Sequence, residues 1–314
     1  MIDILYVNHK HSKFCGVYDL GVRHYNILKK SEKLNILYLE SNRQDEFLNT
    51  YNAINPKIVI FNYMDIVLPW VNYDLINKIK SSITIEIPHI YGEGNLNFSP
   101  LFEYHLLLDP TFNKNLHPKV LVTERPLLEF EDVDIKNDVL NIGSFGFAFH
   151  HKQFDLICKH INESFDECIF NLHMPEAYFS GVAEGYTYDI LQRCKSQITK
   201  DGIILNHTDN YLEEDEIIKM LNKNDINVLF YHPSIQHGGI SSSIDYMISA
   251  QKPILITDCD MFRHVKDKLP KYPFVTLTDI KNDYDKYRME IKKIYNESIK
   301  LLLIQTENEL EKIL

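Results

Sequence analysis

The segment "NIGSFGFAFHHK" places two glycines and a lysine directly after an apolar run. Gly143 and Gly146 favour a turn in which the backbone approaches a ligand closely, because glycine has no Cβ and tolerates positive φ. Lys152 follows at the predicted start of a helix, where its ammonium group can reach a diphosphate. The pattern predicts an anion-binding turn, and an ordinary exposed lysine in the first turn of a helix is the alternative.

A second segment, "HPSIQHGGISSSID", lies between two apolar runs and has the composition of an anion-binding loop. Its two glycines let the backbone approach a ligand, and its serines add hydroxyl groups near the amino end of a predicted helix, where free N–H groups attract anions. The candidate contacts are Gly238, Gly239, Ser241 and Ser242. Asp245 lies one turn further on, where a carboxylate also favours the helix dipole without any ligand.

Three other segments carry weaker signals. Gly16 follows the first apolar run in "VNHKHSKFCGVYDLG" and precedes an amphipathic segment, which makes it a candidate contact for the nucleotide. The absence of G-x-G-x-x-G excludes a dinucleotide fingerprint. In "MFRHV", Arg263 and His264 lie either near the same site or in packing between a loop and a helix. The "DCD" triplet at 258–260 has the letters of an Asp-x-Asp metal motif, but its place after a late apolar run favours a structural role, and we predict no metal site.

Composition limits the classes of partner. The 314 residues carry a formal net charge of −11, so we expect no nucleic-acid partner that needs a broad basic surface. The five cysteines form no C-x-x-C pair, which favours a reducing cytoplasm over a disulfide framework or a zinc knuckle. No apolar window approaches the length of a membrane span, although a local basic patch leaves peripheral membrane contact open.

Apolar β-branched runs alternate with segments of helical period, which is typical of parallel strands joined by helices. The strand candidates fall into two series, "DILYV", "NILYL", "KIVIF", "SITIEI", "YHLLL" and "KVLVT", then "VLNIGSF", "CIFNLH", "GIILN", "INVLFYH", "KPILIT" and "YPFVTL". The acidic stretch between them predicts a linker. We therefore expect an α/β protein with two Rossmann-like domains, at 1–135 and 136–297, and a helical tail at 298–314 that packs on the first domain.

These motifs together resemble the donor-binding domain of GT-B glycosyltransferases, in the large retaining group that builds bacterial surface polysaccharides. "GSFGFAFHHK" is similar to the family's glycine turn and diphosphate-binding lysine, which assigns that role to Lys152. The family's glycine loop and the helix that follows it carry two glutamates separated by seven residues, and His237 and Asp245 stand at those positions here. The resemblance implies that Asp245 holds the ribose. His237, an imidazole in place of a carboxylate, is a departure from the family pattern.

The resemblance also covers "SITIEIPHIYGE", where His89 matches a histidine that faces the donor sugar. It implies two domains facing each other across a cleft, with nucleotide sugar bound to the second domain and a glycan or lipid-linked acceptor to the first. The implied reaction is sugar transfer with retention, without a metal ion or other cofactor, with His89 and His237 as the catalytic residues. A nucleotide-sugar epimerase and a non-catalytic binding domain of the same architecture remain alternatives.

Overall fold

The computed structural model describes residues 2–10, 15–89, 98–176, 186–234 and 239–314. The chain divides into two compact units: unit 1 comprises Met1–Leu127 and Glu297–Leu314, and unit 2 comprises Leu128–Asn296. Each unit contains one parallel sheet flanked by helices, which confirms the predicted α/β class with two Rossmann-like domains. No helix in the described part of the chain combines the length and apolar character that a bilayer crossing needs.

The sheet of unit 1 has the strand order β2-β1-β3-β4-β5-β6. Its strands are β1 (Ile2–Asn8), β2 (Leu34–Glu40), β3 (Ile58–Tyr63), β4 (Ile83–Pro88), β5 (Tyr104–Leu107) and β6 (Val120–Val122). The helices between them are α1 (Gly16–Leu28), α2 (Gln44–Ile54) and α3 (Tyr73–Lys78). The central strands are buried on both faces, because Ile58 and Ile60 join one apolar cluster while Val59 and Phe61 join another.

The sheet of unit 2 has the order β12-β11-β10-β7-β8-β9. Its strands are β7 (Asn141–Phe145), β8 (Cys168–His173), β9 (Ile203–Thr208), β10 (Ile226–Leu229), β11 (Ile254–Thr257) and β12 (Lys271–Tyr272). The helices are α4 (Phe154–Ser164), α5 (Tyr186–Gln197), α6 (Glu214–Asn222), α7 (Ser242–Ser249), α8 (Leu277–Asn282) and the first part of α9 (Tyr284–Lys312). Counted from β7, this is the doubly wound order of dinucleotide-binding domains.

The boundary between the units lies at 127/128, whereas the sequence placed it at 135/136. The intervening residues bond to unit 2: Leu128 N–H donates to Ser249 Oγ at 3.0 Å and Phe130 N–H to Tyr295 Oη at 3.0 Å. Asp132, 7% exposed, accepts from Arg288 Nη2 at 2.7 Å. The acidic stretch that was predicted as a linker is therefore fastened to unit 2 by a buried carboxylate and two backbone donors.

The tail from Glu297 onward belongs to unit 1. Leu310 is fully buried in the same apolar cluster as Ile4 and Tyr6 of β1. Ser31 Oγ donates to Glu307 Oε1 at 2.5 Å, which fixes the helix at the polar edge of that cluster. The expectation that the C-terminal helix returns to the first domain is thus confirmed.

Candidate functional site

The candidate site of unit 2 lies where its sheet changes direction. β7 and β10 are neighbours at the centre of the sheet, while the strands that follow them, β8 and β11, lie on opposite sides. In doubly wound sheets this reversal opens a crevice at the carboxyl ends of the two central strands, and ligands bind there. The two glycine-containing segments predicted from the sequence follow these two strands.

Lys152 occupies this end of the sheet and is buried, with 6% of its surface exposed. It ends a short 3-10 helix, His150–Lys152, and its Nζ lies 5.5 Å from the ring centroid of Tyr231 and 5.9 Å from that of Phe147. It forms no ion pair with any carboxylate of the described residues. An ammonium group removed from water without an anion is costly, and aromatic faces compensate for only part of that cost. The surroundings of Lys152 therefore favour an anionic ligand.

Gly146 has φ +138°, a conformation that side chains with a Cβ rarely adopt. Its N–H donates to the carbonyl of His173 at 3.0 Å. A Cβ at this position would lie 2.2 Å from Lys152 Nζ and 3.3 Å from Ser243 Oγ. The glycine turn, the lysine and the first turn of α7 thus converge on one place.

Ser241 and Ser242 differ in their burial and in their contacts. Ser241 caps α7: its Oγ accepts from Ser243 N–H at 3.3 Å and bonds to Tyr231 Oη at 2.9 Å, while its own N–H donates to Met261 O at 3.1 Å. Because these groups are engaged inside the protein, Ser241 supports the loop. Ser242 opens α7 and is half-buried.

Asp245 is fully buried, and its Oδ1 lies 3.5 Å from His264 Nε2. The ribose contact expected of Asp245 stays a prediction, since the carboxylate has no exposed surface in this structure. Gly239 is buried, and its carbonyl accepts from Arg263 Nη1 at 3.3 Å. His237 and Gly238 lie outside the described residues.

Gly16 begins α1 in unit 1, with nothing within 4 Å of where its Cβ would be. Gly21 is the glycine that the packing of α1 requires, because a Cβ there would lie 2.4 Å from Asn62 Nδ2 and 2.7 Å from Asn8 Nδ2. The contact between Gly16 and a nucleotide therefore stays a prediction. The close approach occurs one turn later than Gly16, over the side chains of β1 and β3.

His89 directly follows β4 and bonds through Nε2 to Asn62 Oδ1 at 2.8 Å. The amide nitrogen of Asn62 donates to Asn8 Oδ1 at 2.9 Å and to Val17 O at 2.6 Å, which fixes the orientation of the amide. His89 Nε2 therefore carries the proton and Nδ1 keeps its lone pair. Burial, with smaller contributions from Arg125 and another histidine, lowers the pKa of His89 to about 3. Its imidazole is neutral at physiological pH and can accept a hydrogen bond.

The "DCD" triplet is engaged in ion pairs. Asp258 Oδ1 lies 3.5 Å from Lys266 Nζ, and Asp260 Oδ2 lies 3.4 Å from Arg263 Nη1. In the described part of the chain, no cluster of three or more histidine, cysteine or acidic side chains could hold a metal ion.

Several residues of the two sites were not predicted from the sequence. Tyr231 and Phe147 form the aromatic surroundings of Lys152, and Asn62 orients His89. Tyr231 stands just beyond the end of β10, so an aromatic residue immediately before a glycine loop was the available signal. Asn62 interrupts the apolar run of β3 with one polar side chain, and it is fully buried.

Comparison with solved structures places the whole chain in one fold. A glycosyltransferase from Rickettsia africae aligns with a TM-score of 0.64 and 11% identity, over 99% of this chain and 97% of that one. HepE from Anabaena, in complex with UDP and glucose, aligns with a TM-score of 0.64 and 10% identity, over 99% and 100%. AviGT4, a glycosyltransferase of avilamycin A biosynthesis, gives 0.63 and 9%, over 99% and 96%.

No family model matches the sequence, and no curated protein matches it. The similarity to these glycosyltransferases is therefore a similarity of fold and not of sequence. The chain has the GT-B fold, built from two Rossmann-like domains, as the sequence motifs predicted.

Proposed function

We propose that the protein is a glycosyltransferase that takes a sugar from a nucleoside-diphosphate donor. The observation that carries this proposal is the buried ammonium of Lys152, which lies without an ion-pair partner among the described residues at the switch point of unit 2. A diphosphate is the anion that suits it, because the Gly146 turn and the first turn of α7 meet at the same place. HepE, which has the same fold, was solved with UDP and glucose, which favours a UDP-sugar as donor.

In this reaction the bond between the sugar's anomeric carbon and the diphosphate oxygen breaks, and the acceptor's hydroxyl oxygen bonds to the same carbon. Negative charge grows on the departing diphosphate, so Lys152 stabilises the transition state more than the ground state. The proton of the acceptor's hydroxyl passes to the departing diphosphate oxygen as the new bond forms, so the products are the glycosylated acceptor and the nucleoside diphosphate. We further propose that transfer proceeds with retention and that Lys152 and nearby N–H groups make a metal ion dispensable, which persistence of activity in EDTA would support.

We assign to His89 a hydrogen bond with the donor sugar. A neutral imidazole with a free Nδ1 lone pair accepts a hydrogen bond from a sugar hydroxyl without adding charge. The hydrogen bond from Nε2 to Asn62 Oδ1 fixes the plane of the ring, so the acceptor atom is already oriented before a ligand binds. The identity of the sugar acceptor, a glycan or a lipid-linked sugar, stays a prediction.

The decisive experiment compares two lysines of unit 2. Lys152→Met removes the buried charge and keeps most of the apolar side chain, whereas Lys159→Met changes a lysine of α4 that pairs with Glu163 on the surface. A charge-assisted contact to phosphate contributes about 1.5–3 kcal/mol. We therefore expect Lys152→Met to weaken UDP binding about 10- to 100-fold by calorimetry, with no change for Lys159→Met.

Transfer itself is tested with UDP-, GDP- and ADP-sugars and a panel of glycan and lipid-linked acceptors. Release of nucleoside diphosphate that depends on an acceptor supports the glycosyltransferase. Isomerisation of a nucleotide sugar without any acceptor identifies an epimerase, and binding without turnover across the panel identifies a non-catalytic domain. Equal affinity of the wild type and Lys152→Met for every diphosphate removes Lys152 from the site and contradicts the proposal.

A further inference from the structure

A short turn after β11 contacts both parts of the donor site in unit 2. It comprises the 3-10 helix Asp260–Phe262 and the two residues that follow, Arg263 and His264, and we name it the 260–264 turn. From the sequence alone, this segment was equally compatible with packing and with a place near the site. The structure shows that it packs directly on the glycine–serine loop.

Met261, Phe262 and His264 each join the 260–264 turn to its surroundings. The carbonyl of Met261 accepts the Ser241 N–H at 3.1 Å, and His264 Nε2 lies 3.5 Å from Asp245 Oδ1. The ring of Phe262, which is fully buried, lies 4.7 Å from the ring of Tyr231, centroid to centroid. Since Tyr231 also lies beneath the ammonium of Lys152, the turn supports the loop and the lysine together.

Arg263 adds a contact that determines the direction of one peptide group. Its Nη1 donates to the carbonyls of Gly239 and Asp260, both at 3.3 Å, and its side chain is only 16% exposed. In a trans peptide the C=O and the following N–H point in opposite directions. With the Gly239 carbonyl turned toward Arg263, the N–H of Ile240 points away from the 260–264 turn. Within the described residues this N–H has no hydrogen-bond acceptor.

We propose that Arg263 is a positioning residue that holds the Gly239–Ile240 peptide so that the Ile240 N–H binds the diphosphate of the donor. This inference rests on the proposed function and adds a positioning residue, Arg263, which the sequence left open between packing and a place near the site. Lys152 is independent support, because its buried ammonium already favours an anion at the same end of the sheet. The guanidinium itself does not contact the ligand; it acts through the carbonyl that it holds.

Binding of two probes separates positioning from general structural support. The probes are whichever of UDP, GDP and ADP binds the wild type most tightly, and the corresponding nucleoside. We expect Arg263→Met to weaken diphosphate binding about tenfold and to leave nucleoside binding unchanged, because only the diphosphate meets the Ile240 N–H. Arg263→Lys, which keeps a donor for the Gly239 carbonyl, should restore affinity to within about threefold of the wild type.

Lys200→Met is the matched control. Lys200 belongs to unit 2 and donates through Nζ to the carbonyl of Phe165 at 2.9 Å, so the variant removes the same kind of contact at a surface remote in sequence from the loop. Its affinity for both probes should equal that of the wild type. Thermal unfolding of each variant verifies that the protein is folded.

A backbone substitution tests the inference even where Arg263→Met fails to fold. Replacing Ile240 by its α-hydroxy acid converts the amide into an ester, which removes the N–H and keeps the side chain. We expect about tenfold weaker diphosphate binding. Unchanged diphosphate affinity in the ester variant overturns the inference, and so does an equal loss of affinity for both probes in Arg263→Met.

Failure of the proposed function gives a different result. If the wild type binds none of the three diphosphates, the proposed function itself fails. If it binds them and responds only to Lys152→Met, the function stands and the role of Arg263 is wrong.

Discussion

The two sheets present different chemistry at their switch points. In unit 2 the group that lies there is a cation, Lys152, over aromatic rings and beside Gly146, whose φ of +138° a residue with a Cβ rarely adopts. In unit 1 it is a neutral network, in which Asn62 joins Asn8 to His89 and every polar atom of the amide has a partner. The difference teaches that the same sheet architecture can place either a charged or an uncharged group at its switch point. Unit 2 by itself suits an anionic ligand, and unit 1 by itself suits a neutral group that forms hydrogen bonds.

The largest expected effect is at Gly146. In Gly146→Ala the new methyl group must displace Lys152 Nζ, which lies 2.2 Å from the ideal Cβ position, and the backbone at φ +138° becomes strained. Such strain costs on the order of 1–3 kcal/mol. We expect a lower unfolding temperature and a 10- to 100-fold loss of diphosphate affinity, roughly the free energy of one charge-assisted contact. Diphosphate affinity equal to that of the wild type would show that the unit 2 switch point is not the anion site.

His89→Asn tests the neutral hydrogen-bond network of unit 1. Loss of an oriented imidazole should lower turnover about 100-fold, within the range found for groups that act on protons or hydrogen bonds in the transition state. Affinity for the nucleoside diphosphate should not change, since His89 belongs to unit 1 and its proposed contact is with the sugar. Steady-state kinetics measures turnover, and calorimetry measures the affinity for the diphosphate. His117→Asn, a histidine variant in the same unit but in the segment before β6, serves as the control. A parallel fall in affinity and turnover would contradict the division of roles.

The pH dependence of stability is expected to come from buried neutral histidines in both units. Burial lowers the pKa of His24 to about 3 and that of His173 to about 4, below the unfolded value of 6.5. Between these pKa values, the two histidines therefore bind protons in the unfolded chain but not in the folded chain. Stability is complete above pH 6.5 and falls as the pH drops from 6.5 toward 4, by about 1.4 kcal/mol per pH unit for each such group.

Urea unfolding at pH 7.5, 6.0 and 5.0 measures this slope. His24→Asn keeps a polar partner for Tyr6 Oη and removes one titrating group, so its stability should fall less steeply with acidification. His173→Gln does the same in unit 2 and shows which unit limits the stability. A slope unaltered in both variants means that other groups control the response to acid.

The smallest effect is expected at Gly16. A methyl group there meets open space, and the residue lies in a helix, where alanine is favoured over glycine by about 0.5–1 kcal/mol. We expect Gly16→Ala to be neutral or slightly stabilising in thermal unfolding, in contrast to Gly146→Ala. A clear loss of donor affinity without loss of stability would restore Gly16 as a contact residue.

Much of the fold was predictable because strands and glycine turns leave local signals. Alternation of apolar runs and helical segments predicted both sheets, and "NIGSFGFAFHHK" predicted the turn that brings Gly146 to Lys152. The prediction was wrong at "YPFVTL", where the strand ends at Tyr272 and α8 follows. Thr276 and Asp279 form a capping box there, so a local helix-start signal prevailed over β-branched composition.

The candidate site was less predictable because its geometry depends on residues far apart in the chain. Tyr231 bonds to Ser241 across the loop, and Asn62 holds His89 across two strands. The glycine that fits tightly in unit 1 is Gly21, and only the packing of α1 on Asn62 distinguishes it from Gly16. A single sequence contains the residue types but not these distances.

The tail of unit 1 has a consequence for biosynthesis. Residues 297–314 are translated after all of unit 2, yet Leu302 and Leu310 are fully buried and belong to the first unit. On a ribosome, domains generally fold in order as they emerge, at about 5–20 residues per second. Here the amino-terminal domain lacks part of its apolar core throughout the synthesis of unit 2, which at that rate takes many seconds. The domain whose synthesis begins first therefore cannot complete its core until Leu302 and Leu310 have been made.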